Sequence, residues 1–229
     1  MKYKWILFDA DGTLFDYDRA ELDALNLTFN NFGYQFDPSY LIIYDEINKQ
    51  VWLELEQGLT TPDGLKVKRF ERLLSTLDLH SDAQLFSTSY LNYLSQNACL
   101  IDGAEDLLKV IVGKVGLVLI TNGLKRVQRS RFERSTISSY FDHIIISEEV
   151  GAVKPEKRIF DVTFNKMNYP EKEKVLIVGD SLTSDIKGGN DFGIDTCWFN
   201  HKNQIHDQNI VINYEINELK EILKILQIK

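Results

Sequence analysis

Cysteine and histidine, which supply most disulfide, zinc and thiol chemistry, are scarce in this chain. There are two cysteines and four histidines among 229 residues. Neither Cys99 nor Cys197 lies in a CxxC or cysteine–histidine spacing, which excludes a disulfide framework and argues against a zinc site. The histidines are scattered along the sequence, so we do not expect histidine catalysis. Both cysteines are predicted to stay free in a reducing compartment.

Long apolar segments and an excess of positive charge are also missing. No apolar run reaches the length of a transmembrane helix and the amino terminus has no signal-peptide region, so the sequence predicts a cytoplasmic protein without a membrane partner. With 26 basic and 34 acidic side chains the formal net charge is −8, which argues against a nucleic-acid polymer as partner. A small phosphorylated ligand is compatible with this charge, because a single well-placed cation can bind it.

Short apolar runs alternate with helical segments from residue 102 onward. Predicted strands at 115–120, 144–146, 175–178 and 196–199 join an amino-terminal strand at 5–8. Continuously apolar strands separated by helices of about 10–13 residues are typical of a parallel sheet covered on both faces. The pattern therefore predicts an α/β fold with a doubly wound, Rossmann-like sheet. An amphipathic segment at 215–227 predicts a closing helix.

The segment that follows the first strand has a different pattern. Residues 16–98 contain no strand-like run, and their apolar residues recur at helical spacing. Residue types that begin helices occur at Asp37-Pro38, Thr61-Pro62 and Ser81-Asp82. Helices over about 80 residues are enough for a small bundle with its own core. We therefore predict two domains: an α/β core at 1–15 and 99–229, and a helical cap at 16–98 that serves as a lid.

Two carboxylates follow the first predicted strand directly. The apolar run at 5–8 is followed by Asp9, and Asp11 and Gly12 come next. In a parallel sheet, ligands bind just beyond the carboxyl ends of the strands. Taken alone, the same residues also fit an ordinary Asp/Gly turn. Polar residues after three later strands favour a site over a turn, and these residues are Thr121, Asn122, Lys154, Asp180 and Asp185.

Several acids at one sheet edge need a cation. Two ionised carboxylates about 4 Å apart repel by about 4 kcal/mol at an effective dielectric constant of about 20. Oxygen ligands without histidine or thiolate favour Mg²⁺ over zinc. A divalent ion, a lysine, a hydroxyl and backbone N–H donors together suit a phosphoryl group. One carboxylate can then act as nucleophile while its neighbour acts as general acid and base.

Four motifs occur in a characteristic order: DADGT at 9–13, ITNG at 120–123, Lys154 before Pro155, and GDSLTSD at 179–185. With these motifs the chain resembles the haloacid dehalogenase (HAD) superfamily, in its phosphatase branch, over nearly its whole length. The resemblance implies a catalytic core with a cap domain, and Mg²⁺-dependent phosphatase activity through an aspartyl-phosphate intermediate. Dehalogenase chemistry is less expected, because it needs no Mg²⁺ and this chain has a full set of acidic metal ligands.

The resemblance also implies roles for particular residues. Asp9 is the expected nucleophile and Asp11 the expected general acid and base. The phosphoryl group is expected to be bound by Thr121, the Asn122 backbone and Lys154. The Mg²⁺ ligands that the resemblance implies are Asp9, the main-chain carbonyl of Asp11, Asp180, and Asp185 directly or through water. An alternative for Asp185 is an acid at a helix amino terminus, which the helix dipole favours.

Finer features resemble the YjjG/YfnB-like group of 5′-nucleotidases within this superfamily. They are the sequence at 13–16, Val127-Gln128 after the ITNG motif, and the run at 179–198. The resemblance implies that the substrates are nucleoside 5′-monophosphates, often with a pyrimidine base.

Two alternative functions remain open from the sequence. A sugar-phosphate phosphatase would share every catalytic residue and differ only in the lid. A phospho-receiver or regulatory module would also place carboxylates, a hydroxyl and a lysine at a sheet edge, although Asp11 and the lid favour turnover. Four aromatic side chains are candidates either for stacking on a nucleobase or for an apolar core: Phe15, Tyr17, Tyr44 and Trp52.

Overall fold

Six parallel strands form one sheet among the residues that the computed structural model describes, which are 1–205 and 210–228. The strands are Trp5–Phe8 (β1), Gly116–Thr121 (β2), His143–Ile146 (β3), Val175–Gly179 (β4), Asp195–Phe199 (β5) and Tyr214–Ile216 (β6). They lie in the order β3-β2-β1-β4-β5-β6, so β1 is flanked by β2 and β4. Residues 206–209 and 229, which belong to the predicted core segment, lie outside the described residues.

Helices connect these strands and fill the segment between β1 and β2. In chain order they are Tyr17–Asn31 (α1), Ser39–Glu56 (α2), Pro62–Thr76 (α3), Ala83–Gln96 (α4), Ala104–Ile111 (α5), Lys125–Arg134 (α6), Ser147–Val150 (α7), Lys157–Lys166 (α8), Lys187–Phe192 (α9) and Ile222–Ile225 (α10). Short 3-10 turns lie at Ser138–Tyr140, Lys172–Lys174 and Leu219–Glu221, and a π-helical turn at Leu182–Ile186. Within 1–205 and 210–228, we find no helix with the length and apolar character needed to cross a membrane.

The central strand β1 is buried on both faces. Ile6 and Phe8 pack into one apolar cluster with Leu119, whereas Leu7 packs into a second cluster with Val118. Helices α5 and α10 contribute to the first cluster and α8 to the second. Because helices cover both faces of a parallel sheet, the predicted doubly wound α/β fold is confirmed.

The carboxy-terminal segment corrects the prediction of one helix over 215–227. Tyr214–Ile216 pairs with β5 as the edge strand β6, and helical structure begins only at Leu219–Glu221. The N–H groups of Asn217 and Glu218 donate to the Glu221 carboxylate at 3.0 and 3.1 Å, within a capping box that starts the helix there. The prediction was wrong because a segment as short as Tyr214–Ile216 is compatible with the strand period and with the helix period alike.

The chain divides into two compact units, Met1–Tyr17 with Ala98–Lys229, and Asp18–Asn97. The second unit is helical, and α3 and α4 begin at side-chain caps that their residue types indicated. Thr61 Oγ1 accepts from Gly64 N at 3.0 Å, and Asp82 Oδ1 accepts from Leu85 N at 2.9 Å. The roles of 1–15 and 99–229 as catalytic core and of 16–98 as lid stay predictions.

Two of the four candidate aromatic side chains are core residues. Phe15 is fully buried in the cluster around β1, and Tyr44 is fully buried in the helical unit, where its ring stacks on Phe70 at a centroid distance of 5.6 Å. Tyr17 and Trp52 are only half-buried. Tyr17 and Trp52 therefore keep surface that a ligand can contact, whereas Phe15 and Tyr44 serve packing.

Candidate active site

Three strand ends meet at the middle of one sheet edge. Asp9 follows β1, Thr121 is the last residue of β2, and Asp180 follows β4. The Asp9 N–H donates to the Val178 carbonyl at 2.9 Å, which extends the β1–β4 pairing to the carboxylate itself. The chain leaves β1 toward β2 and β3 and later returns on the other side through β4. Such a reversal of strand order is where open α/β sheets bind ligands.

Three acidic side chains gather at this edge. Carboxylate oxygens of Asp9, Asp180 and Asp185 all lie within 4.8 Å of one another. Asp185 is fully buried on the π-helical turn, and its Oδ2 accepts from Ser181 N at 3.1 Å. The Trp198 indole donates to the Asp180 carbonyl at 2.9 Å and so fixes the backbone where that residue leaves β4.

Two glycines allow the acids to come this close. Gly12 has a φ of +81°, and a Cβ there would lie 2.4 Å from a carboxylate oxygen of Asp180. A Cβ at Gly179 would lie 2.2 Å from the Asp185 carboxyl group. Any larger residue at either position would displace a carboxylate, so the glycines of the DADGT and GDSLTSD motifs are required by the packing of the acids.

Lys154 lies within the acidic group. Its ammonium donates to Asp9 Oδ1 at 2.5 Å, to Asp185 Oδ1 at 2.7 Å and to the Ile120 carbonyl at 2.8 Å, and the residue is 1% exposed. The Asn122 amide holds the lysine backbone from both sides: its Oδ1 accepts from Lys154 N at 2.7 Å and its Nδ2 donates to Lys154 O at 2.9 Å. Asn122 therefore fixes the position from which the lysine reaches the acids.

Burial and mutual repulsion change the pKa values in this group. Burial raises the pKa of Asp9 well above its usual value, and Lys154 opposes that rise only in part. Burial, followed by the charge of Asp185, raises the pKa of Asp180 to about 7. Burial by itself would lower the pKa of Lys154, but Asp185 and Asp9 outweigh it and the pKa is raised.

These shifts have a consequence for stability. A carboxyl group whose pKa is higher in the folded than in the unfolded state contributes less stability as the pH rises from the unfolded value to the folded one. For Asp180 that interval runs from the usual acidic range up to about 7. Ionised Asp180 is therefore destabilising at neutral pH, and an added cation would relieve the cost.

The donor set suits a hard divalent cation. Asp9, Asp180 and Asp185 offer oxygen only, and the described part of the chain brings no thiolate or imidazole into this group. Carboxylate oxygen is what Mg²⁺ takes in proteins, so three of the predicted metal residues fit that ion. The carboxylate of Asp11 lies outside the group. Its main-chain carbonyl, the atom implied by the sequence, stays a predicted ligand.

The Asp11 carboxylate has its own partners, which sequence analysis missed. Gln128 Nε2 donates to Asp11 Oδ2 at 2.5 Å, and the Arg131 guanidinium donates to Asp11 Oδ1. Both donors come from α6. The dipeptide Val127-Gln128 marks a family feature in the sequence, but no local pattern indicates a contact 117 residues away. The sequence does place two polar residues, at i and i+3, on an otherwise apolar helix face, and this was the available signal that the two side chains have a polar partner.

Thr121 and Asn122 occupy the end of β2 as predicted from the sequence. Thr121 is 1% exposed, and its Oγ1 accepts from Gly123 N at 3.0 Å in the turn that leads to α6. The Ser147 hydroxyl donates to the Asn122 carbonyl at 3.1 Å. Their turn lies beside Lys154, and their roles in phosphoryl binding stay predictions.

Comparison with known protein families agrees with this geometry. The family model for haloacid dehalogenase-like hydrolases matches residues 6–199, which include every predicted site residue. The chain belongs to this family. The resemblance of the sequence to the HAD superfamily is thereby confirmed.

Relatives of this hydrolase match it over its whole length. It is 36% identical over 228 residues to the HAD-hydrolase YfnB of Bacillus subtilis (strain 168), covering 100% of this chain and 97% of YfnB. It is 34% identical to the pyrimidine 5′-nucleotidase YjjG of Escherichia coli (strain K12), covering 99% of each chain. It is 35% identical to the pyrimidine 5′-nucleotidase PynA of Streptococcus pneumoniae, covering 99% of this chain and 96% of PynA. The predicted similarity to the YjjG/YfnB-like group is confirmed.

A solved structure also matches this hydrolase over its whole length. The crystal structure of YfnB from Bacillus subtilis, bound to magnesium and described as revealing interdomain movement, has a TM-score of 0.94 to this chain and covers 100% of both. The sequence identity in this comparison is 36%.

Proposed function

We propose that this hydrolase is a Mg²⁺-dependent phosphatase that removes the phosphate from nucleoside 5′-monophosphates through an aspartyl-phosphate intermediate. The observation that carries the proposal is the position of Asp9. Its carboxylate lies at the end of the central strand, 2.5 Å from the Lys154 ammonium and beside Asp180 and Asp185. A carboxylate that is oriented in this way and flanked by positive charge can attack a phosphoryl group as the nucleophile.

The chemistry has two steps, with Asp9 and Asp11 in different roles. Asp9 attacks phosphorus, the bond from phosphorus to the leaving oxygen breaks, and Asp11 gives its proton to that oxygen. Asp11 then takes a proton from the water that cleaves the aspartyl-phosphate, which releases phosphate and restores both carboxyl groups. Lys154 holds the nucleophile in place, since it contacts Asp9 directly.

Magnesium would be held by the carboxylates of Asp9 and Asp180, by the Asp185 carboxylate directly or through water, and by the main-chain carbonyl of Asp11. When bound it supplies positive charge for the phosphoryl oxygens. The raised pKa of Asp180 and the magnesium bound to YfnB both support this assignment. Asp185 also anchors the lysine, so in our proposal it serves the cation and Lys154 together.

Phosphoryl binding is assigned to Thr121, the Asn122 backbone and Lys154. The side-chain amide of Asn122 is engaged with the Lys154 backbone, which supports a backbone rather than a side-chain role for Asn122. The lysine ammonium already contacts three oxygens, so its part is mainly to provide charge at a fixed point. The Thr121 hydroxyl completes the set at the end of β2.

The proposed substrate class rests on the relatives. YjjG and PynA are both named pyrimidine 5′-nucleotidases, and each matches nearly the whole chain. A small phosphorylated metabolite also agrees with the net charge of −8, which does not favour a nucleic-acid polymer. We propose that the helical unit acts as the lid that selects the substrate, which the interdomain movement described for YfnB supports.

The test is phosphate release from a panel of nucleoside monophosphates and sugar phosphates, with Mg²⁺ and with EDTA. We expect turnover that EDTA abolishes and a preference for pyrimidine nucleoside 5′-monophosphates. A preference for sugar phosphates would keep the mechanism and overturn the substrate class. A single stoichiometric phosphorylation without release would instead indicate a receiver module.

Asp11→Asn tests the assignment of the general acid and base. The asparagine keeps the size of the side chain but cannot exchange a proton, so we expect kcat for a nucleoside monophosphate to fall by roughly 10²–10⁴. Steady-state kinetics at saturating Mg²⁺ measure the effect. A variant that turns over at the wild-type rate would contradict the role of Asp11.

A further inference from the structure

Both oxygens of the Asp11 carboxylate are engaged by side chains from one helix. Gln128 Nε2 donates to Oδ2 at 2.5 Å and the Arg131 guanidinium donates to Oδ1. The two donors are three residues apart on α6, so they lie on the same face of that helix. The orientation of the carboxylate is therefore set at two points.

The two donors are themselves buried. Gln128 is 1% exposed and Arg131 is 0% exposed. The Arg131 guanidinium lies 4.7 Å from the centroid of the Phe15 ring, which is a cation–π contact. A Cβ at Gly123 would lie 2.2 Å from Gln128 Nε2, so the glycine of the ITNG motif leaves the space through which Gln128 reaches Asp11.

The partners of Asp11 and Asp9 are separate sets. Asp9 contacts Lys154 and lies in the acidic group, whereas Asp11 contacts Gln128 and Arg131 and lies outside it. Two chemically identical carboxylates only two residues apart are thereby given different surroundings. A difference in surroundings is how one site assigns different roles to two carboxylates.

We propose that Gln128 and Arg131 are positioning residues, which hold the Asp11 carboxylate away from Lys154 and aimed for proton transfer to the leaving oxygen. The inference rests on the proposed phosphatase function and adds to it residues that set the geometry of the acid. A misplacement of a reacting group by about 1 Å is enough to slow an enzyme by about 10²-fold.

Leaving-group dependence tests the role of these residues. A nucleoside monophosphate releases an alcohol that needs a proton, whereas p-nitrophenyl phosphate releases a phenolate that does not. For Gln128→Met and Arg131→Lys, we expect kcat/KM to fall by roughly 10- to 100-fold with the best alkyl phosphate of the panel. With p-nitrophenyl phosphate we expect a fall of less than about threefold. Arg129→Lys is the matched control on the same helix, since Arg129 pairs with Glu149 and not with Asp11.

Each outcome of this experiment either supports or overturns the inference. Unequal losses on the two substrates, with the control unchanged, support positioning of the acid. Equal losses on both substrates would indicate a merely structural role and overturn the inference, as would wild-type kinetics in both variants. Gln128→Met conserves volume, so it gives a folded protein for the comparison if Arg131→Lys does not. A wild-type protein that releases no phosphate from either substrate overturns the proposed function first, which distinguishes the two failures.

Discussion

Asp9→Asn is expected to abolish hydrolysis while leaving the protein folded. The asparagine oxygen still accepts a hydrogen bond from Lys154, but the amide is a poor nucleophile, so turnover should fall by roughly 10⁴-fold or more. The free energy of unfolding in EDTA is not expected to fall. The substitution removes one of the buried acids that repel each other, and burial raises the pKa of this one well above its usual value.

The measurement combines steady-state kinetics with denaturant unfolding at neutral pH. Asp161→Asn is the matched control, because Asp161 is an exposed acid that pairs with Lys157 on the surface of α8. The control should retain full activity. Residual turnover by Asp9→Asn that is close to wild type, in a preparation free of deamidated protein, would remove Asp9 as the nucleophile.

Lys154→Met is expected to cost both stability and activity. Methionine has a similar length but no charge, so Asp9 and Asp185 would lose the ammonium that contacts them at 2.5 and 2.7 Å. Breaking a buried ion pair by removing one partner costs about 3–5 kcal/mol, because the other charge stays buried and uncompensated. Activity should fall by roughly 10²–10³-fold, the usual effect of losing one preorganised electrostatic contact to the reacting group.

Denaturant unfolding in EDTA, repeated in Mg²⁺, measures the loss of stability. We expect Mg²⁺ to recover part of the lost stability, because it supplies positive charge to the same carboxylates. Asp185→Asn in the Lys154→Met background should also recover part of it, since it removes one of the unpaired acids. Lys157→Met, which removes a solvent-exposed lysine, should leave stability nearly unchanged. An unchanged free energy of unfolding in Lys154→Met would contradict the account of this ion pair.

Much of the fold and of the location of the site follows from local pattern. Continuous apolar runs indicated the first five strands, because a strand buried on both faces needs apolar side chains on both. Carboxyl ends of parallel strands share one edge, so residues after β1, β2 and β4 were expected to meet. The structure brings Asp9, Lys154, Asp180 and Asp185 together at that edge.

The wrong prediction of one helix over 215–227 shows the opposite case, in which the local pattern did not decide the structure. Tyr214–Ile216 is too short for its period to distinguish strand from helix, and its conformation depends on the free edge of β5. The capping box between Glu218 and Glu221 lies inside the segment, so the helix begins several residues late. Here pairing with a neighbouring strand outweighed local amphipathic character.

By itself the sequence determined the parallel α/β fold, the family and the acids that meet at the sheet edge, because these depend on periodicity and on motifs a few residues long. Only the tertiary structure decided which partner each carboxylate has. Gln128 and Arg131 reach Asp11 across 117 and 120 residues, and Asn122 fixes Lys154 across 32. Such contacts arise from the packing of whole elements, and a buried polar group takes the partner that this packing brings within hydrogen-bond distance.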